Sequence, residues 1–156
     1  MFLPSGRVHG LGAGLVIFEI QQNSDTTYRA FDWNRTGLDG KPRELHIPQS
    51  LASIDFNDFE PSLLPAAFLQ DGPRRKRPLV RDPLFTVELH EAGAGVNVPL
   101  APRKMQIIVL LAGRLQVHDA GNALALAAGQ FCLVPASLGQ VTARAEAPAT
   151  FLWISL

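Results

Sequence analysis

The stretch MQIIVLLAGRLQVHDAGN, residues 105–122, decides the fold of this chain. It holds two strand-length apolar runs, MQIIVLL and RLQVH, and turn-forming residues in LAG and DAGN follow them. The same alternation continues outward along the chain, in FTVELHE (85–91), QFCLVP (130–135), QVTAR (140–144), TFLWIS (150–155), LVIFEI (15–20) and TYRAFDW (27–33). Short runs rich in β-branched and aromatic residues, separated by turns, predict an all-β sandwich or barrel.

Composition narrows the function classes. The chain has 156 residues, 47% of them hydrophobic, and its 14 Lys and Arg balance its 14 Asp and Glu. This balance leaves no net charge to attract nucleic acid or an anionic membrane, so a small ligand is expected. No apolar run reaches the roughly 18 residues that a membrane helix needs. The single cysteine, Cys132, lies in an apolar run and is expected to be a buried reduced thiol, which favours the cytoplasm.

A change of composition predicts a domain boundary. Residues 60–83 carry five prolines and the cluster PRRKRP with little periodicity, which predicts a linker between residues 1–59 and residues 84–156. The basic cluster has no interleaved aromatic residues, so a solvated linker is favoured over a nucleic-acid patch. A short helix is predicted over 48–54, because Pro48 suits a first helical turn.

Two motifs near the start of the chain carry possible chemistry. GLGAG (10–14) resembles part of a dinucleotide-binding loop, but a β-branched run follows it where that loop needs a helix, so a tight strand connection is favoured. PSGRVH (4–9) has the Pro-x-Gly-x-x-His pattern of the second metal motif of the cupin superfamily. A lone histidine is more often structural than metal-bound, so on this motif alone His9 has two open interpretations.

Glu19 lies within the apolar run LVIFEI, where an unpaired buried carboxylate is costly. If NSD (23–25) forms a hairpin turn, Glu19 faces Arg29 on the next strand. This pair is either a cross-strand ion pair that supports the sheet or one wall of a polar pocket that also receives His9.

Residues 4–47 closely resemble the bacterial type I mannose-6-phosphate isomerases, which are metal-dependent enzymes built from cupin jelly-roll modules. The resemblance rests on PSGRVH (4–9), EIQQNSDTTYR (19–29) and DGKPRELHI (39–47) together. It extends over residues 84–156, which are similar to the family's metal-free C-terminal module, with GQFCLVPAS in place of its late Gly-then-Pro strand. The resemblance implies an all-β cupin fold with one complete C-terminal module and part of the metal-bearing module.

The resemblance also implies an activity and the residues that serve it. The family interconverts mannose 6-phosphate and fructose 6-phosphate with a divalent metal, usually zinc. By motif position, His9 is a metal ligand, Arg29 binds the sugar phosphate and acts in catalysis, and Glu19 is the catalytic carboxylate close to the metal. Lys41, Arg43 and His46 lie in a family motif without an assigned role.

One departure from the family stands out. Its other metal ligands, a glutamine, a histidine and a glutamate, come from a segment before the PSG turn that these 156 residues do not contain. His90 and His118 are expected at edge or surface positions of the second module and do not replace them. Two hypotheses follow: an isomerase portion that works with an N-terminal segment supplied elsewhere, or a non-catalytic cupin module that binds sugar phosphate. Self-association through the exposed LVIFEI run is expected if that segment is missing.

Overall fold

A computed structural model of the chain describes residues 1–24, 26–60, 62–64 and 66–156. The chain divides into two units, one formed by residues 3–62 and the other by residues 1–2 together with 63–156. In chain order, the regular elements are α1 (Ile47–Ser53), β1 (Leu69–Asp71), β2 (Arg74–Arg81), β3 (Thr86–Ala92), β4 (Asn97–Pro99), β5 (Gln106–Ala112), β6 (Arg114–His118), β7 (Ala123–Ala127), β8 (Phe131–Val134), β9 (Thr142–Ala145) and β10 (Ala149–Ser155).

The unit containing 63–156 is made of two antiparallel sheets, which confirms the all-β prediction. One sheet has the order β1-β2-β3-β10-β5-β8 and the other the order β4-β9-β6-β7. The core lies between them, since Ile108, Leu110 and Phe151 of the first sheet form one buried cluster with Leu115 and Ala143 of the second. Strand β10 is central because it pairs with β3 on one side and with β5 on the other.

Six of the strand-length runs predicted between residues 85 and 155 form strands, namely β3, β5, β6, β8, β9 and β10. In β6 the inward Leu115 and Val117 are buried and Gln116 between them is less so, which is the period-two pattern of a half-buried strand. The run ALALA was not predicted as a strand and forms β7 at a sheet edge. Alanine has little preference for strands, so this strand depends on its pairing with β6.

Residues 74–81 form β2, although the composition of that region predicted a linker. The basic side chains are compatible with a strand because carboxylates on the neighbouring strand pair with them: Arg75 Nε lies 2.5 Å from Glu91 Oε2 and Lys76 Nζ lies 3.5 Å from Glu88 Oε1. Pro78 sits where the register with β3 shifts, a position at which a strand tolerates proline.

The unit formed by residues 3–62 has little regular structure among its described residues. Helix α1 begins one residue before the predicted helix and carries proline in its first turn. The strands predicted at 15–20 and 27–33 do not form, and an isolated bridge joins Thr36 to Pro42. A strand is stable only beside partner strands, and the side chains of Leu15 and Val16 are exposed instead of packed on a second layer. No helix in the described part of the chain is long and apolar enough to cross a bilayer.

Candidate functional site

The PSG turn packs against the residues that follow helix α1. Arg7 N donates a hydrogen bond to Pro4 O at 3.2 Å, and Gly6 has φ +88°, a left-handed conformation that favours glycine. A Cβ on Gly6 would lie 2.9 Å from Ser53 O, and Gly6 O accepts a hydrogen bond from Asp55 N. Glycine is therefore required here both by the turn and by the close approach.

Arg7 fixes this turn through a two-point ion pair. Its Nε donates to Asp58 Oδ2 at 2.6 Å and its Nη2 donates to Asp58 Oδ1 at 2.8 Å, which is the fork geometry of a strong Arg–carboxylate pair. The hydrogen bond from Arg7 holds the pKa of Asp58 below its usual value. The PSGRVH motif is thus anchored two residues before His9.

His9 is exposed, and its Nδ1 lies 3.1 Å from Arg7 O. A carbonyl oxygen only accepts hydrogen bonds, so Nδ1 is the donor, and in the tautomer with its proton on Nδ1 the Nε2 atom has a lone pair for a metal. Histidines that ligate metals are commonly held in this way, with one ring nitrogen donating to a carbonyl and the other free for the metal. The arrangement is compatible with the metal-ligand role that the resemblance implies for His9.

Glu19 is exposed and lies outside any strand, so the predicted hairpin does not form here. The turn proposed at NSD includes Asp25, which lies outside the described residues. Glu19 forms no ion pair with any residue of the described ranges, and the pairing of Glu19 with Arg29 is therefore wrong for this structure. The carboxylate is instead exposed to solvent and stays hydrated, so it needs no cationic partner to offset a burial cost.

Arg29 is held at its backbone and at its side chain. Its N–H donates to His46 Nδ1 at 3.1 Å, and its carbonyl accepts from His46 N at 2.8 Å. The guanidinium Nη1 donates to Glu44 O at 3.1 Å, and Nε lies 3.7 Å from Asp32 Oδ1. The side chain is 24% exposed, so the guanidinium is fixed in position and still reaches solvent.

Asp32 organises this cluster, and sequence reasoning missed it. It is buried, and both of its oxygens accept hydrogen bonds from Arg43, with the Nε bond at 2.7 Å. These bonds hold the pKa of Asp32 below its usual value, with smaller contributions from Arg29 and Arg35. The ion pair joins residues 27–33 to residues 39–47. Arg43 thereby holds Asp32 in place, and His46 holds the backbone of Arg29. A lone acidic residue inside the apolar run YRAFDW was the available signal, because a buried aspartate needs a cationic partner.

The described residues do not fit a metal site by themselves. No group of three His, Cys, Asp or Glu side chains in the described ranges lies close enough together to hold an ion. His9 contributes one imidazole, whereas zinc sites use at least three protein ligands.

His90 lies in the core of the β-sheet unit, not at its surface as expected. It has no exposed area and stacks on Phe151 at 5.2 Å between ring centroids. Its Nε2 lies 3.1 Å from Glu88 Oε2, and burial lowers the pKa of the imidazole. The hydrogen bond with Glu88 raises this pKa, and Arg74 and Lys76 on β2 lower it, so that with burial as the largest cause it lies below its usual value.

Comparison with known proteins gives a consistent set of relatives. No protein-family model matches the chain. The chain is 31% identical over 134 residues to the mannose-6-phosphate isomerase of Streptococcus mutans, covering 86% of this chain and 42% of that enzyme. It is 50% identical over 54 residues to the mannose-6-phosphate isomerase ManA of Bacillus subtilis, covering 35% of this chain and 17% of that enzyme. These matches confirm the resemblance drawn from the motifs.

Solved structures give the fold. The crystal structure of the Bacillus subtilis mannose 6-phosphate isomerase superposes with a TM-score of 0.69 at 20% identity, covering 86% of this chain and 41% of that one. An RmlC-like cupin from Shewanella frigidimarina superposes with a TM-score of 0.51 at 15% identity, covering 57% of this chain and 81% of that one. The cupin jelly-roll prediction is confirmed by these folds. The chain spans about two fifths of the Streptococcus mutans enzyme.

Proposed function

We propose that this chain, a homologue of part of the mannose-6-phosphate isomerases, contributes the sugar-phosphate-binding arginine and one metal ligand to an aldose–ketose isomerase site. The reaction proposed is the interconversion of mannose 6-phosphate and fructose 6-phosphate. Residues 1–59 would belong to the metal-bearing module and residues 84–156 to the metal-free one. The Streptococcus mutans relative supports the proposed reaction, since this mannose-6-phosphate isomerase matches 86% of the chain. The buried free thiol of Cys132 supports a cytoplasmic location.

The observation that carries the proposal is the fixed guanidinium of Arg29. Arginine has five N–H donors, and in the described residues one donates to Glu44 O while Asp32 stands 3.7 Å from Nε. The remaining donors are free to bind the oxygens of a sugar phosphate in a planar fork. Because Asp32 and His46 hold the residue in place, little side-chain entropy is lost on binding.

Glu19 and His9 complete the residues assigned to the reaction. Glu19 is the proposed catalytic carboxylate, and its exposed position without an ion pair among the described residues leaves it free to exchange a proton with a bound sugar. His9 is the proposed zinc ligand through Nε2. The other ligands of the zinc ion are proposed to come from polypeptide outside these 156 residues, because the described residues hold no further set.

Binding of the substrate to the chain itself tests the role of Arg29. Mannose 6-phosphate is titrated into the chain, into Arg29→Ala and into the control Arg35→Ala, with sedimentation of each preparation to record self-association. Arg35 is exposed in the same unit and lies over the ring of Trp33, and its side chain forms no hydrogen bond with Asp32 in the described residues. Its loss therefore removes the same charge and leaves the hydrogen bonds that anchor Arg29. We expect saturable binding that Arg29→Ala weakens about tenfold or more, as expected for charged hydrogen bonds, while Arg35→Ala stays near the parent value.

The outcomes separate the hypotheses. Equal weakening by both variants means that the chain attracts phosphate only through its general charge, which contradicts the proposal. Binding that depends on Arg29, together with no turnover in any assembled form, favours the non-catalytic sugar-phosphate-binding module. Mannose without the phosphate is the ligand control, and we expect it to bind more weakly.

A further inference from the structure

Two hydrogen bonds join the backbone of Arg29 to His46, and one of them uses the imidazole ring. Arg29 N donates to His46 Nδ1 at 3.1 Å, and His46 N donates to Arg29 O at 2.8 Å. His46 stands at the N-terminal end of helix α1, and its own carbonyl accepts a hydrogen bond from Ser50 N at 2.8 Å. The imidazole therefore supplies half of the link between the start of the helix and the arginine proposed to bind substrate.

The contact at Nδ1 fixes the protonation state of His46. A backbone N–H group can only donate, so Nδ1 accepts and the ring is neutral, with its proton on Nε2. Both ring nitrogens of an imidazolium carry protons, so a charged His46 would place two N–H donors against each other at 3.1 Å. Protonation therefore breaks this hydrogen bond and leaves Arg29 with one backbone bond to His46. Histidine is the side chain whose charge ordinarily changes between about pH 5 and 8.

The other described contacts of Arg29 keep their state over that pH range. Glu44 holds the guanidinium through its backbone carbonyl, which does not titrate. Hydrogen bonds from a neighbouring guanidinium hold the pKa of Asp32 below its usual value, so Asp32 stays ionised. Around the imidazole, the ring of Tyr28 lies at 6.2 Å between centroids, with Arg29 beside it and Glu44 two residues before it in the chain. Among the described contacts of Arg29, His46 is thus the one whose state changes in this range.

We propose that His46 positions Arg29 only while its imidazole is neutral, and that its protonation releases the backbone of Arg29 and weakens sugar-phosphate binding. This role of His46 rests on the proposed function, because it concerns the same arginine. A released arginine loses more conformational freedom when it binds a ligand, so affinity falls. The loss expected for one neutral hydrogen bond is about fivefold. An imidazolium would also attract the phosphate, which acts in the opposite direction, and about 0.15 M salt screens that attraction beyond roughly 8 Å.

The test compares the full chain with His46→Asn. Mannose 6-phosphate binding is measured at about pH 8 and about pH 5.5, in about 0.15 M salt. The asparagine carbonyl accepts a hydrogen bond at both pH values because it does not titrate. The ligand phosphate and the other histidines are the same in both proteins, so the effects of their titration cancel. We expect the loss of affinity at the lower pH to be about fivefold greater in the parent than in His46→Asn. His118→Asn, in the β-sheet unit, should lose as much affinity as the parent.

A titration of the unaltered chain provides a test that needs no variant. The ring resonances of His46 are followed by NMR against pH, with and without saturating mannose 6-phosphate. Coupled binding is reciprocal, so a ligand that binds better when His46 is neutral must move the titration midpoint of His46 to lower pH, by about half a pH unit. A midpoint moved to higher pH means that the imidazolium attracts the phosphate, and it overturns the positioning role.

Arg29→Ala, measured beside the parent at about pH 8, separates the role of His46 from the proposed function. Absent binding, or binding that Arg29→Ala does not weaken, overturns the proposed function and the role of His46 with it. Binding that depends on Arg29 but changes with pH equally in the parent and in His46→Asn overturns the role of His46 alone. A titration midpoint of His46 that saturating ligand leaves unchanged does the same.

Discussion

Substitution of Gly113 by alanine tests the packing of the β-sheet unit at its most constrained turn. Gly113 joins β5 to β6 and has φ +88°. A Cβ at this position would lie 2.0 Å from Pro148 O and 2.9 Å from Ala149 Cα, both in backbone that cannot move as a flexible side chain would. The left-handed conformation costs an alanine about 1–2 kcal/mol, and the forced backbone shift costs about 1–3 kcal/mol more.

We therefore expect Gly113→Ala to lower the free energy of unfolding by about 2–5 kcal/mol, a large share of the roughly 5–15 kcal/mol typical of a domain. Gly129→Ala is the matched control, because Gly129 has φ +84° but no atom within 4 Å of its Cβ position. It should lose only the conformational part, about 1–2 kcal/mol.

The assay is urea unfolding followed by tryptophan fluorescence in a Trp33→Phe background, so that Trp153 alone reports on the β-sheet unit. A midpoint lower for Gly113→Ala than for Gly129→Ala, with equal slopes, is the expected result. Equal losses in the two variants would refute the close approach of the β5–β6 turn to Pro148.

Two further predictions concern titration and metal binding. Burial lowers the pKa of His90, with Glu88 raising it and Arg74 and Lys76 lowering it, so the folded chain binds this proton less readily than the unfolded chain. The stability contributed by His90 should be fully present above the unfolded pKa of about 6.5 and fall by up to about 1.4 kcal/mol per pH unit below it. As the pH is lowered, the urea midpoint should therefore fall less in His90→Leu than in the parent chain, and an equal fall in both would contradict this. For metal, calorimetry should show zinc binding to the isolated chain no tighter than roughly micromolar. Tight one-to-one binding that His9→Ala removes would contradict this and would mean that the chain supplies further zinc ligands.

The sequence predicted the β-sheet unit better than the rest of the chain, for a physical reason. Runs such as MQIIVLL carry their own strand signal, and the residues that pair with them lie within the same 84–156 region. Strand β2 was missed because its stability comes from carboxylates on β3, which no local pattern in PRRKRP reveals. LVIFEI has a strong local signal but no partner strand among the described residues, so the signal is not realised.

For the candidate site, the sequence motifs suggested residues but not the contacts that those residues make. Arg29 was proposed as a site residue from its motif, but its contacts with Asp32, Glu44 and His46 were not predicted. These contacts form between irregular segments, and such segments have no periodic pattern from which pairing can be inferred. The pairing of Glu19 with Arg29 failed because it depended on a hairpin. Asp32 lies within an apolar run, which indicates that it needs a cationic partner, but the sequence does not indicate which of the nearby arginines pairs with it.

Turnover by a chimera tests the central claim most directly. In it, this chain replaces the matched part of the Streptococcus mutans mannose-6-phosphate isomerase, and a coupled assay follows the formation of fructose 6-phosphate from mannose 6-phosphate. We predict a zinc-dependent isomerase whose turnover falls at least about a hundredfold in Arg29→Ala, with Arg35→Ala near the parent rate and both variants folded by circular dichroism. A folded chimera that binds zinc and mannose 6-phosphate but shows no turnover, or one whose turnover is unaffected by Arg29→Ala, would contradict the account.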